Sequence, residues 1–126
     1  MLITLDIETN TSHDVIWCAV TQDIDTGEVL EHYSGTTLAP LISKATGVVG
    51  HNLIGFDAPV LYNVWNLTIP TGKQRDTLAM SRLWNPSLEG GHSLDSWGQR
   101  FGDPKIDFHD YDGGLSDEMV EYCRQD

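Results

Sequence analysis

The run L-I-T-L-D-I-E at residues 2–8 predicts a β-strand, because apolar side chains lead up to two acids at its end. The acids are Asp6 and Glu8, and residues two apart on a strand project to the same side, roughly 7 Å apart. Two carboxylates at that separation can reach a common cation. A D-x-E pair also arises by chance in so acidic a chain, but unpaired carboxylates are costly to bury on a central strand. The position of the pair therefore favours a metal site.

The rest of the chain predicts an α/β fold around this strand. Four further strands are predicted at residues 15–23, 28–34, 47–52 and 73–76, and the D-T-G turn at 25–27 joins the first two of them. Helices are predicted at residues 36–45, 56–66, 77–84, 93–101 and from 117 onward. The first, third, fourth and fifth begin with a residue that can cap a helix: Thr36 or Thr37, Asp76 or Thr77, Ser93, and Ser116. This order predicts a mixed five-stranded sheet covered by helices on both faces.

The segment H-N-L-I-G-F-D at residues 51–57 crosses the predicted junction between the fourth strand and the second helix. The carboxyl ends of strands are where an α/β sheet gathers its chemistry, so Asp57 is a candidate metal ligand. The alternative is structural. Asn52 would then form a turn, and Asp57 would stabilise the first turn of the helix through the macrodipole.

The sequence Y-C-R-Q-D at residues 122–126 supplies the last acidic segment. Tyr122 and Asp126 are four residues apart on a predicted helix and therefore face the same way. By themselves they are equally consistent with an exposed acid beside a half-buried tyrosine.

Together, the three acidic segments are more specific than any one of them. Carboxylate oxygens suit Mg²⁺ or Mn²⁺ rather than zinc. A pair of such ions can activate a water and stabilise the leaving oxygen of an in-line displacement at a phosphodiester. Tyr122, next to the outer acid Asp126, can orient that water. The three segments therefore predict a two-metal site that cleaves phosphodiesters.

Length and composition indicate one small domain. The chain has 126 residues and 40% hydrophobic residues, which is ordinary for a globular domain. No stretch approaches the roughly 20 apolar residues of a membrane span, and the N-terminus lacks the basic region of a signal peptide. Cys18 and Cys123 are too few for a disulfide framework and show no metal-ligand spacing. A cytoplasmic protein without membrane contact is predicted.

The net charge of −12 argues against broad, charge-driven binding of DNA. The seven cationic side chains form no cluster along the sequence. An acidic nuclease is still consistent with this charge if bound metals neutralise its site and a partner supplies the grip on nucleic acid.

The motifs resemble those of the DEDD superfamily of 3′–5′ exonucleases, in its tyrosine-bearing branch. The chain is most similar to the proofreading domain of family-A DNA polymerases from short-tailed phages. The likeness runs through nearly all of the sequence, and it includes R-D-T-L-A-M-S-R-L at residues 75–83 and H-S-L-D-S-W-G-Q-R-F-G at residues 92–102.

This resemblance implies a ribonuclease-H-like fold and two bound divalent cations, Mg²⁺ or Mn²⁺. Asp6 is expected to bridge both ions. Glu8 and Asp126 are expected to complete the shell of the tighter ion. Asp57 is expected to hold the second ion, partly through water, and Tyr122 to position the attacking water.

The resemblance also implies contacts with the substrate, a single-stranded or frayed DNA 3′ end. Thr9 is expected to meet the terminal nucleotide through its backbone, and Asn52 to contact the sugar-phosphate. Phe108 is expected to pack on the terminal bases. Asp76 matches a position that caps a helix and is not counted as a ligand. The expected partner is a DNA polymerase, fused or separate, in the host cytoplasm if the chain is phage-encoded.

Alternatives for the activity remain open at this point. The same chemistry would serve a 3′–5′ exoribonuclease or an oligonucleotide-trimming enzyme. A non-catalytic accessory domain of a replication complex is a further alternative, although retention of four acids and Tyr122 argues against it. Residues 1–126 are predicted to form one exonuclease domain whose final helix is cut short at Asp126, either as a fragment of a polymerase or as a separate subunit.

The histidines show no metal-ligand spacing, and His51 and the four tryptophans are predicted to be structural. His51 is expected to be a hydrogen-bonded structural residue, with general base as the alternative. The tryptophans are expected in the core rather than as base-stacking residues: Trp17, Trp65, Trp84 and Trp97.

Overall fold

The computed structural model describes residues 1–103 and 110–125 and contains one five-stranded sheet. The spatial order of the strands is β3-β2-β1-β4-β5. Their bounds are β1 Leu2–Thr9, β2 Ile16–Asp23, β3 Val29–His32, β4 Gly47–Gly50 and β5 Gln74–Asp76. The central strand, β1, runs antiparallel to β2 and parallel to β4. The predicted mixed α/β sheet is confirmed.

The helices are short, and each predicted helix is present. Their bounds are α1 Gly35–Lys44, α2 Ala58–Trp65, α3 Thr77–Trp84, α4 Leu94–Phe101 and α5 Asp117–Gln125. A 3₁₀ turn, Thr71–Lys73, precedes β5. Within residues 1–103 and 110–125, no helix has the length and apolar composition that crossing a bilayer requires.

Two predicted helix starts were wrong. Helix α1 begins after Ser34, whose backbone is extended and whose side chain makes no capping hydrogen bond, rather than at Thr36 or Thr37. The helix predicted to start at residue 56 begins earlier, as a π-helical turn, Leu53–Asp57, that leads directly into α2. Pro59 lies in the first turn of α2 and has no N–H to donate, and the π-helical turn directly precedes it.

The core explains which way the acids of β1 point. Ile3, Leu5 and Ile7 are almost fully buried in the larger apolar cluster, together with residues of α1 and α2. Successive side chains of a strand alternate between faces, so Asp6 and Glu8 project to the opposite side of the sheet. That side carries the smaller cluster of Cys18, Val20 and Cys123, formed with α5.

The tryptophans were predicted to be core residues, but Trp84 is 70% exposed. Trp17, Trp65 and Trp97 are half-buried, and of these described residues only Trp65 packs against the larger apolar cluster. The ring of Trp84 lies 6.1 Å from that of Trp97, and Trp97 stacks on Phe101 at 5.6 Å. Leu83 and Phe101 beside it are also exposed, so α3 and α4 share an apolar surface.

Candidate metal and nucleic-acid site

The predicted acidic pair lies at the end of β1, on the side of the sheet covered by α5. Asp6 is half-buried, whereas Glu8 is only 6% exposed. In the antiparallel pairing with β2, Asp6 lies opposite Val20 and Glu8 opposite Cys18. Burial of an ionised carboxylate is unfavourable unless another group compensates its charge.

A β-bulge follows Glu8 and shapes this end of the strand. Glu8 pairs with Cys18 and Thr9 with Ile16, so Trp17 is the extra residue on β2. Bulges turn side chains out of the regular alternation, and here Glu8 and Thr9 are both buried. The indole N–H of Trp17 donates to the Tyr111 carbonyl at 2.7 Å. The bulge thereby fixes the segment around Tyr111 against the sheet.

A second set of bonds ties the same segment to the loop after β1. The Asp112 carboxylate accepts the Thr11 backbone N–H at 3.0 Å and the Thr11 hydroxyl at 2.9 Å. The pKa of Asp112 lies below its usual range, chiefly because of the hydrogen bond from the Thr11 backbone and to a lesser extent because of that from the Thr11 hydroxyl. Asp112 therefore holds two parts of the chain together although it is exposed.

Between β1 and α5 the structure forms an open space of about 400 Å³, here termed the β1–α5 cleft. Its lining includes Asp6, Glu8, Thr9, Phe56, Tyr111 and Tyr122. The rings of Tyr111 and Tyr122 meet edge to face at 6.3 Å, and His13 packs edge-on against Phe56 at 5.0 Å. The carboxylates and aromatic rings of this lining give the cleft both metal donors and stacking surfaces.

Helix α5 brings Tyr122 to the cleft. Its start is capped by the Ser116 hydroxyl, which accepts the Met119 N–H at 3.1 Å, as predicted. Met119 is fully buried, and Arg124 forms an ion pair with Glu31 of β3 at 2.7 Å. The pKa of Glu31 is lowered, chiefly by the hydrogen bond from Arg124 and to a lesser extent by the hydrogen bond from Tyr33. A cap, a buried side chain and an ion pair thus fix the orientation of the helix.

Cys123 was not predicted as part of the site, yet it lies against the acidic pair. Its Sγ is 3.6 Å from Asp6 Oδ2 and 3.5 Å from the Asp6 carbonyl. One ligand atom from each of Asp6, Glu8 and Cys123 lies within 4.8 Å of the others. The pKa of the Cys123 thiol is raised, chiefly by a side-chain hydrogen bond with Cys18 and to a lesser extent by burial. Sequence spacing cannot reveal this cluster, because it depends on how α5 crosses the sheet.

The 51–57 segment is held in place from β5. Asp76 accepts the backbone N–H groups of Asn52 and Ile54 at 2.9 and 3.0 Å. The same carboxylate caps α3 through the N–H groups of Leu78 and Ala79, at 2.9 and 3.3 Å. The structure thus agrees with the predicted capping role of Asp76. It also shows that one side chain links α3 to the turn before Asp57.

Asn52 and Asp57 occupy the two ends of that turn. Asn52 has left-handed backbone geometry, with φ of 62°, and it is absent from the described lining of the β1–α5 cleft. Asp57 is 2% exposed and directly follows Phe56, which lines the cleft.

His51 lies in a hydrogen-bond network typical of a structural residue. Its Nε2 is 2.7 Å from the His92 carbonyl, which can only accept, so Nε2 carries a proton. Its Nδ1 lies 2.9 Å from the Thr77 hydroxyl.

Four predicted site residues converge in the described part of the cleft: Asp6, Glu8, Thr9 and Tyr122. Phe108 and Asp126 lie outside the described residues. His13, Phe56 and Tyr111 in the cleft, and Cys123 beside Asp6, were not predicted as site residues. Phe56 and Cys123 could have been suspected from the sequence only because each is adjacent to a motif residue, Asp57 and Tyr122 respectively.

The donor set fits a divalent cation. Two carboxylates and a thiol supply ligand atoms within 4.8 Å of one another, and Glu8 and Cys123 are buried. A bound cation would stabilise the ionised form of two carboxylates this close together, one of them buried.

Comparison with known proteins shows likeness at the level of structure. No protein-family model and no curated protein matches this sequence. The structure of NrnC from Brucella melitensis bound to pGG is similar over 97% of this chain and 64% of that chain, with a TM-score of 0.68 and 21% identity. The family B DNA polymerase from Pyrobaculum calidifontis is similar over 80% of this chain, with a TM-score of 0.62 and 15% identity.

A third similar structure is the EXD2 exonuclease domain soaked in Mg and dGMP. It matches 98% of this chain and 69% of that domain, with a TM-score of 0.51 and 21% identity. The chain therefore has the α/β fold of exonuclease domains. It spans 64% of the length of NrnC and 18% of the polymerase.

Proposed function

We propose that this protein is a metal-dependent 3′–5′ exonuclease that removes nucleotides one at a time from a nucleic-acid end. The observation that carries the proposal is the meeting of Asp6, Glu8 and Tyr122 in one open cleft. A fold shared with the EXD2 exonuclease domain supports it.

Asp6 and Glu8 would hold the first divalent cation, with Asp57 and Asp126 as further proposed ligands. Bound Mg²⁺ or Mn²⁺ would lower the pKa of a water and stabilise the negative charge on the leaving oxygen. The carboxylates contribute a fixed set of oxygen donors of the type these ions prefer. The similar EXD2 domain was soaked in Mg and dGMP, which supports a divalent ion and a nucleotide as ligands of this fold.

The remaining residues of the cleft would bind and orient. The Tyr122 hydroxyl would hydrogen-bond the attacking water and direct it toward phosphorus. Thr9 would contact the terminal nucleotide through its backbone, and Phe56 and Tyr111 offer rings on which bases can stack. Contacts of the substrate with Asn52 and Phe108 stay predictions.

The first candidate substrate is a single-stranded or frayed DNA 3′ end, processed as proofreading for a DNA polymerase. Likeness to a polymerase structure supports this assignment. The net charge of −12 favours a partner that contributes the positive surface for DNA.

The second candidate activity is trimming of short oligonucleotides, including RNA. The likeness to NrnC, whose structure contains pGG, favours it because that match extends over 97% of this chain. A cleft of about 400 Å³ has the size of a small-molecule site and can accept the end of a short oligomer.

Digestion of 5′-labelled oligonucleotides tests the proposal. DNA and RNA of the same sequence, incubated with Mg²⁺ or Mn²⁺, should shorten stepwise from the 3′ end. Asp6→Asn should lower the rate by about 10³-fold or more, because the cation loses a charged ligand. Asp25→Asn is the matched control, since it removes the same charge from an exposed hairpin turn and should leave the rate unchanged.

The relative rates on DNA and RNA distinguish the two candidate activities. A folded protein that digests neither polymer with either ion would contradict the proposal and favour a non-catalytic accessory role.

A further inference from the structure

We propose that Cys123 is a third direct ligand when the Asp6–Glu8 centre binds a thiophilic divalent ion, and that its sulfur lets this centre hold such ions more tightly than carboxylates alone would. The inference rests on the cation centre of the proposed function. The proposed function has only carboxylate ligands; Cys123 adds a sulfur ligand, and with it a preference for ions that bind sulfur.

The distances carry the proposal. In a tetrahedral centre with metal–sulfur and metal–oxygen bonds of about 2.3 and 2.1 Å, the two donor atoms lie about 3.6 Å apart. Cys123 Sγ and Asp6 Oδ2 are separated by 3.6 Å. A donor atom of Glu8 completes a set within 4.8 Å. The donors come from β1 and α5, which pack against each other, so the set is fixed by the fold.

Burial and position also favour ligation over a passive thiol. Cys123 is 1% exposed and Glu8 is 6% exposed, so sulfur and carboxylate meet away from bulk solvent. A neutral thiol is a weak hydrogen-bond donor and compensates little carboxylate charge. When a metal binds, the S–H bond breaks, the proton leaves to solvent, and a metal–sulfur bond replaces it.

The donor chemistry predicts which ions bind. Mg²⁺ requires oxygen ligands, whereas thiolate favours ions such as Co²⁺, Zn²⁺ and Cd²⁺. The centre should therefore bind Co²⁺ and Cd²⁺ more tightly than an all-oxygen site would. Mg²⁺ affinity should depend little on Cys123.

Titration of the intact chain with Co²⁺ under a non-thiol reductant tests the assignment. Binding should produce a near-ultraviolet thiolate-to-metal charge-transfer band. The chain offers a matched control, because Cys18 is the only other cysteine and is equally buried. The band should persist in Cys18→Ala and disappear in Cys123→Ser, with circular dichroism confirming that both variants fold. The Co²⁺ dissociation constant should rise about tenfold or more in Cys123→Ser.

The outcomes separate this inference from the proposed function. Absence of the band in wild type, or its survival in Cys123→Ser, would overturn the inference even if nuclease activity with Mg²⁺ is normal. Wild-type protein is sufficient for the first result, so a misfolded variant cannot obscure it. A band lost with Cys123, in a protein without nuclease activity, would support the ligand and refute the function.

Discussion

At the scale of single residues, Tyr122 is the side chain whose proposed role is most easily isolated. Tyr122→Phe removes one hydroxyl and keeps the ring that meets Tyr111. We expect kcat to fall about ten- to a hundredfold with KM nearly unchanged, because only the orientation of the water is lost. Steady-state kinetics on a labelled oligonucleotide measure the effect.

Tyr62→Phe is the control for this substitution, since Tyr62 is 58% exposed on α2. A Tyr122→Phe enzyme with wild-type kcat would remove Tyr122 from the mechanism. An equal loss in both variants would indicate an effect unrelated to the cleft.

Asp76 is the residue on which the geometry of the 51–57 segment depends. Its carboxylate accepts four backbone N–H groups, two at the start of α3 and two in the turn that follows β4. Asp76→Ala should lower the free energy of unfolding by about 2 to 4 kcal/mol, because a cap and two charge-assisted hydrogen bonds disappear together. Chemical denaturation measures this change.

Asp76→Ser separates the two roles of the carboxylate. A serine hydroxyl can still cap α3 but does not reach both Asn52 and Ile54, so it should recover about 1 kcal/mol. Activity should stay low in both variants if the anchoring of the turn positions Asp57. Full activity in Asp76→Ser would assign Asp76 to helix capping alone.

At the scale of elements, His32 links β3 to its neighbours. Its Nε2 lies 3.0 Å from the Thr21 hydroxyl of β2, and its Nδ1 lies 3.0 Å from that of Thr37 in α1. Burial lowers the pKa of His32 below the ordinary value of 6.5. The unfolded chain thus takes up a proton near that pH while the folded chain does not. Stability is full above this range and is lost as pH falls through it.

Thermal unfolding between about pH 7.5 and about pH 5.5 should show this loss, because the range spans the ordinary histidine pKa. The melting temperature of wild type should fall more steeply across it than that of His32→Gln. His13→Gln, at an exposed position, should keep the wild-type slope. Parallel slopes in all three proteins would show that His32 does not control stability in this range.

Local signals predicted most elements, and long-range contacts decided the rest. The D-T-G turn and the end of α4 were predicted from the sequence, and Gly27 and Gly102 there adopt positive φ values of 78° and 77°, a conformation that glycine favours. The π-helical turn was not predicted, since it is held by Asp76, more than twenty residues away. Cys123 joined the site for the same reason, through tertiary packing that no sequence spacing encodes.

At the scale of the whole molecule, binding of a cation at the proposed centre is coupled to the stability of the folded chain. A cation that binds only the folded chain raises its stability by about 2.7 kcal/mol at a concentration one hundred times Kd. For a domain of this size that corresponds to a rise in Tm of roughly 10 °C. Scanning calorimetry with added Mn²⁺ should show this rise in wild type and little of it in Asp6→Asn.

Equal shifts in wild type, Asp6→Asn and the exposed-site control Asp25→Asn would mean that Mn²⁺ only screens surface charge. The cation centre at Asp6 would then be refuted.

The contact between Asp6 and Cys123 joins parts of the chain that are 117 residues apart. During translation at about 5 to 20 residues per second, β1 therefore waits about 6 to 23 s for its partner helix to be synthesised. Until then the two halves of the centre are not assembled. The proposed nuclease activity should thus be absent from a nascent chain until α5 has been synthesised, and the messenger from which the chain is made would be protected until then.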